Sequence, residues 1–184
     1  MAPHIELPDG LAGIRGLMAY SPRTAKPLND LAEVLLVSDE GLSAAERELI
    51  ATFVSSRNDC HFCQSVHGAV AAHRFGGDAA LVDAVKRDYR SAPISPKLKA
   101  LLAIAAKVAV SGKDVAAADI ERARAEGATD EELHDAVLIA AAFCMYNRYV
   151  DGLATWAPDD PRAYDESGPR IAREGYANGS LPRS

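Results

Sequence analysis

Apolar residues recur at three- and four-residue intervals along most of the chain, and no stretch alternates apolar and polar positions beside a hairpin turn signal. The pattern predicts a short helix over 11–19 and a second over 28–38, after punctuation by Pro22 and Pro27. Ser43 followed by Glu46 is a capping-box pattern opening a helix to about Ser56. Asn58 and Asp59 break that helix and offer caps for another starting at Cys60 and stopping at Gly76-Gly77. Asp78 precedes a helix over 79–89, Ser95-Pro96 one over 97–110, and a further helix covers about 116–126 and ends at Gly127. Thr129 with Glu132 is a second capping box and opens a long helix over 130–149, with room to continue to Leu153. The expected fold is all-α, a bundle of about eight helices whose AAH, AIAA and AAAF runs permit close packing. Residues 1–157 read as one helical domain that includes an extended arm over 1–10. Residues 158–184, polar and rich in Pro, Arg and Gly, read either as a disordered tail or as an arm lying across a neighbouring subunit, anchored by Trp156, Tyr164 and Tyr176.

Composition narrows the function classes. The chain has 184 residues, 48% of them hydrophobic and 25% charged, with a formal net charge of -6. That suits a globular domain with a substantial core and offers no basic footprint for nucleic acid or anionic membranes. No segment is long and apolar enough to read as membrane-spanning, and MAPHIELPDG does not resemble a signal peptide, so a cytoplasmic location is expected. Three cysteines are too few for a disulfide framework. Cys144 lies in an apolar helical run and reads as a core thiol.

The chemistry-bearing signal is Cys60-His61-Phe62-Cys63, with His67 four residues on. On a helix, Cys60, Cys63 and His67 share one face. The two cysteines can close a disulfide within a turn. A helix N-terminus favours the thiolate, and His67 can accept a proton from Cys63 directly or through one water. A thiolate attacking a peroxide gives a sulfenic acid, which a second thiol converts to a disulfide; an external dithiol must then reset the pair. Spacing alone does not fix which cysteine attacks. Glu48, on the preceding helix of a predicted hairpin, can orient His67 or relay its proton, whereas Glu46 and Arg47 read as solvent-facing. Cys60, Cys63, His67 and Glu48 also offer four zinc ligands, although one helical turn is a poor tetrahedral host. His61 and His73 fall off the motif face, and His134, in the polar first turn of the long helix over 130–149, reads as exposed. Asn147, Arg148 and Asp151 interrupt an apolar helix and suggest an interface or the rim of a pocket, which Phe62, Phe143 and Tyr146 can line. No glycine-rich strand–turn–helix fingerprint points to a nucleotide or flavin, so neither cofactor nor resident metal is expected.

Glu48, the SSRNDCHFCQSVH run at 55–67 and the FCMYNRYVDGL run at 143–153 make the chain resemble the carboxymuconolactone decarboxylase-like superfamily, in its alkylhydroperoxidase D-like, peroxidase-related branch. The resemblance spans roughly residues 10–160. It implies Cys63 as the peroxide-reactive thiol, Cys60 as its resolving partner and His67 with Glu48 as a proton relay. It also implies a homo-oligomer, trimeric or hexameric. The branch's best-known peroxidases carry a histidine immediately before the second cysteine; Phe62 stands there, and His61 is shifted by one. The superfamily's lactone decarboxylases typically lack the cysteine pair, which argues against that reaction. The expected function is thus a thiol peroxidase-like oxidoreductase. A protein or small-molecule disulfide oxidoreductase and a non-enzymatic redox sensor or scaffold are the alternatives.

Overall fold

The computed structural model describes residues 2–177, which form nine α-helices and two short 3-10 turns. The helices are α1 (Ile14–Tyr20), α2 (Pro22–Val37), α3 (Ala44–Arg57), α4 (His61–Arg74), α5 (Ala79–Asp88), α6 (Pro96–Val110), α7 (Ala117–Ala125), α8 (Asp130–Gly152) and α9 (Ser167–Glu174). All-α architecture is as the periodicity predicts, and the start signals are used as read. Ser43 accepts from the Glu46 amide while Glu46 Oε2 accepts from Ser43 N at 3.0 Å. Thr129 and Glu132 pair in the same way. Asp78 and Ser95 cap α5 and α6 through the amides of Leu81 and Leu98.

Two boundaries differ from expectation. α2 begins at Pro22, not after Pro27. Pro22 sits at the first helical positions, where its missing N–H is no loss, but Pro27 is interior. An interior proline costs about 3 kcal/mol, and fully burying one large aliphatic side chain returns roughly 1.5–3 kcal/mol. Leu35 and Leu36 are both buried on this helix, which is enough to hold it through the proline. The second difference lies at the cysteines. Cys60 is the cap of α4, with extended backbone, and Asp59 before it takes the left-handed conformation at φ 56°. Asp pays little for that conformation, so the chain turns sharply there. Cys63 consequently lies in the first turn of α4, among amides that lack intrahelical partners.

α3 is the central rod. Ten of its side chains are buried, among them Leu49, Ile50, Phe53 and Val54, because α2, α4, α5, α6 and α8 all pack around it. Between Arg47 and Ser55 every side chain of this helix is buried, and this corrects the expectation for Arg47. Its guanidinium is buried: Nε donates to Leu42 O at 2.9 Å, Nη1 to Leu35 O at 3.1 Å, and Nη2 to Glu40 O at 2.6 Å and Asp135 Oδ2 at 2.5 Å. Arg47 thereby fastens the α2–α3 connection to α8.

The described part of the tail folds back on its own chain. A 3-10 turn, Pro161–Tyr164, and then α9 pack against α4. Gly168 makes the approach possible, since a Cβ there would stand 2.5 Å from the Ala69 carbonyl oxygen. At Gly175, φ is 68° and a Cβ would meet the Glu33 carboxylate at 2.4 Å. That carboxylate instead accepts the backbone amides of Tyr176, at 2.5 Å, and Ala177, at 3.0 Å. The tail's remaining residues, 178–184, lie outside the described residues. No helix among the described residues is long and apolar enough to cross a membrane.

Candidate functional site

The α3–α4 hairpin brings the sequence-predicted group together. Cys60 is fully buried, Cys63 is 3% exposed, and both are free thiols. Glu48 has no exposed surface, and its Oε2 lies 2.9 Å from His67 Nδ1. A carboxylate is costly to bury unless it is hydrogen-bonded. The second partner comes from the tail: Tyr176 donates its hydroxyl to Glu48 Oε1 at 2.5 Å and lies 3.1 Å from His67 Nδ1. The Tyr176 ring also stacks on His67, with centroids 5.6 Å apart, while Phe143 meets the other side of the imidazole edge-on at 4.6 Å. Burial, and then the charge and hydrogen bond of Glu48, push the Tyr176 phenol well above its ordinary range, so it is a standing donor. A carboxylate that accepts at both oxygens places the shared proton on Nδ1 and leaves Nε2 as the histidine's acceptor.

The two thiols are not equivalent. The Cys60 thiol is pushed far up, first by its hydrogen bond with Cys63 and then by burial and the charge of Cys63. Cys60 is therefore the sulfur that keeps its proton when one of the pair ionises. Beyond it stands Asp151, whose carboxyl is raised by burial and drawn back by a hydrogen bond with the Cys60 thiol.

Cys63 and His67 open into a cavity of about 140 Å³ between α1, α4, α8 and the tail. Phe62, Phe143 and Tyr146 are among the residues that line it. Phe62 forms an apolar wall against the Gly13 backbone and Tyr164. Tyr146 is held by its hydroxyl donating to Leu28 O at 2.8 Å. Asn147 is not a lining residue. It is 1% exposed, donates to Ser55 Oγ at 3.0 Å and accepts from Asn58 Nδ2 at 2.8 Å. It thus clamps the turn that leads into Cys60. Asn147 and Asp151 border a separate shallow depression with Asn58, Arg148 and Gly152. His61 is exposed and lies 3.0 Å from Pro158 O, and His134 is exposed. Cys144 is half-buried and apart from the pair. Among the described residues no three His, Cys, Asp or Glu side chains are grouped to hold a metal ion.

Sequence reasoning placed Glu48, Cys60, Cys63 and His67 together and missed Tyr176 as their neighbour. The tail carries little apolar periodicity, and what brings Tyr176 inside is the pair of close approaches at Gly168 and Gly175.

The fold has counterparts among solved structures. A structure from Ralstonia eutropha JMP134, described as an alkylhydroperoxidase AhpD core and uncharacterized peroxidase-related protein, superimposes with a TM-score of 0.74 at 29% identity, covering 83% of this chain and 78% of that one. An uncharacterized peroxidase-related protein from Silicibacter sp. TM1040 gives a TM-score of 0.74 at 28% identity, with the same 83% and 78% coverage. A protein of unknown function from Agrobacterium tumefaciens, a putative antioxidant defence protein AhpD by its description, shares the fold at 21% identity and a TM-score of 0.67, over 78% of this chain and 97% of that one. Comparison with curated proteins gives no match. The carboxymuconolactone decarboxylase family model matches residues 22–87 and 78–157, spanning all of α2 through α8. The chain belongs to the carboxymuconolactone decarboxylase family, in its alkylhydroperoxidase D-like, peroxidase-related branch.

Proposed function

We propose that the protein is a thiol peroxidase that reduces hydroperoxides at Cys63. The observation that carries this reading is the hydrogen-bonded Glu48–His67 pair beside two free thiols, of which Cys63 opens with His67 into one cavity while Cys60 lies buried behind it. His67, with Nδ1 held by Glu48, takes the Cys63 proton at Nε2. The thiolate attacks the distal peroxide oxygen, forming S–O and breaking O–O. His67 returns its proton to the departing alkoxide, which leaves as an alcohol, and Cys63 is oxidised to a sulfenic acid. The Cys60 thiol then displaces that hydroxyl as water and closes the Cys60–Cys63 disulfide. An external dithiol reduces the disulfide and completes the cycle. The raised Cys60 thiol supports these roles, because the resolving sulfur stays protonated while the attacking one ionises. Burial of both sulfurs beside the folded-back tail favours a small substrate over a protein disulfide. Assembly into a trimer or hexamer is part of the same proposal. Val34, Val110 and Met145, exposed in the single chain, are the surfaces it would cover.

Stopped-flow oxidation of the reduced protein by hydrogen peroxide and cumene hydroperoxide tests the reading, with the product mapped by mass spectrometry. Saturable oxidation is expected that is lost in Cys63→Ser, and that stops at a sulfenic acid in Cys60→Ser. Oxidation no faster than that of a free thiol in solution would rule the peroxidase out.

A further inference from the structure

Two cations reach the cysteine cavity from opposite ends of the chain. Arg15 on α1 and Arg170 on α9 both line it, together with Cys63 and His67. Its other walls are mostly apolar, with Met18 and Phe143 among them, and no aspartate or glutamate lines it among the described residues. The nearby Glu48 has its two oxygens engaged by His67 and Tyr176. The Arg15 Nε is buried with no hydrogen-bond partner. A buried guanidinium donor without an acceptor is unfavourable and rare in a native fold. Arg15 also stands on the wall of the cavity, where a ligand can offer its guanidinium an acceptor. The formal net charge of the chain is -6, so the molecule as a whole does not attract anions. The positive character belongs to this cavity.

We propose that the cavity is built for an organic hydroperoxide that carries a carboxylate. Arg15 anchors the carboxylate with Arg170 as the second cation, the apolar body lies along Met18 and Phe143, and the peroxide meets Cys63. Planar guanidinium groups suit a carboxylate, which they bind through paired charge-assisted hydrogen bonds. The chemistry is that of the proposed peroxidase: the carboxylated hydroperoxide leaves as the carboxylated alcohol, Cys63 and Cys60 supply the two electrons, and an external dithiol restores them. The inference rests on that reading for the reaction but not for the binding.

The binding is measured first, with unreactive probes. 4-Isopropylbenzoate and 4-isopropylbenzamide have the same shape and differ in charge. Calorimetric titration of the reduced protein should show the carboxylate binding roughly tenfold tighter or more, the scale of one or two charge-assisted hydrogen bonds. Arg15→Gln should bring the affinity ratio close to one, Arg15→Lys should keep part of it, and Arg170→Gln should reduce it. Equal affinities in the unmodified protein, or a ratio unchanged in Arg15→Gln, overturn the proposal. Cumene hydroperoxide and its para-carboxylate then repeat the comparison as a ratio of oxidation rates, expected to favour the carboxylate and to fall in Arg15→Gln. Oxidation by neither, with the binding preference intact, sinks the peroxidase reading and leaves the anion site standing.

Discussion

Replacing Tyr176 by Phe removes one oxygen from the centre of the site and leaves the ring to stack on His67. That oxygen is the donor to Glu48 Oε1, on a side chain with no exposed surface. Phenylalanine cannot donate there, so the carboxylate loses this charge-assisted hydrogen bond. Bonds of this kind contribute about 1.5–3 kcal/mol. In a protein of this size each kcal/mol moves the melting temperature by roughly 2–4 °C, so Tyr176→Phe should melt about 3–12 °C lower. Calorimetry of four proteins, the parent, Tyr176→Phe, Glu48→Gln and the double variant, separates this contact from general loosening of the tail. The structure requires a coupling energy on the order of 1–3 kcal/mol between the two positions. A melting temperature within 1 °C of the parent, or a coupling near zero, would refute the placement of the tail over Glu48.

Arg47→Met should cost roughly 3–5 kcal/mol in urea unfolding, because it strands Asp135 and three backbone carbonyls that the guanidinium now satisfies; a loss below about 1 kcal/mol would contradict that network. Stability should decline on the alkaline side. The Cys60 thiol and the Tyr176 and Tyr146 phenols are all raised in the fold, so the folded protein keeps protons that the unfolded chain releases. Their contribution is complete below the unfolded pKa values and is lost as pH rises above about 9, by up to about 1.4 kcal/mol per pH unit for each group. Denaturant midpoints across pH 7–11 check this, and an alkaline limb equally steep in Tyr176→Phe would exclude Tyr176 as a contributor. Gly168→Ala should push α9 away from Ala69 and speed alkylation of Cys63 by iodoacetamide severalfold; an unchanged rate would mean that α9 does not shield the sulfur.

The grouping of the candidate residues was legible in the sequence where their separation along the chain is short. Cys60, Cys63 and His67 lie within one short segment, where helical spacing places Cys63 and His67 one turn apart and Cys60 caps the same helix. Glu48 was legible because a short turn joins its helix to theirs, so the hairpin leaves few other arrangements. Arg47 misled for a related reason. Adjacent to Glu48 in a charged triplet, it looks like solvent-facing sequence, and only the helices packed all around α3 reveal that it must be buried and multiply bonded. Asn147 stands out because it is a polar group in an apolar helix; that it bonds Ser55 and Asn58 at the turn before Cys60, and borders a separate depression and not the cysteine cavity, depends on the rotation of α8 against α3.

The sequence by itself determined the helices, through period and caps, and the nearness of the two cysteines to His67, because both depend on interactions between residues a few positions apart. Tertiary structure alone decided which partners come from far along the chain. Tyr176 reaches Glu48, and Arg170 reaches the cavity, through backbone approaches at Gly168 and Gly175 and the folding of the tail over α4, while Arg15 comes to the same cavity from α1. Such contacts are set by packing among distant elements, and no periodicity along the chain encodes them.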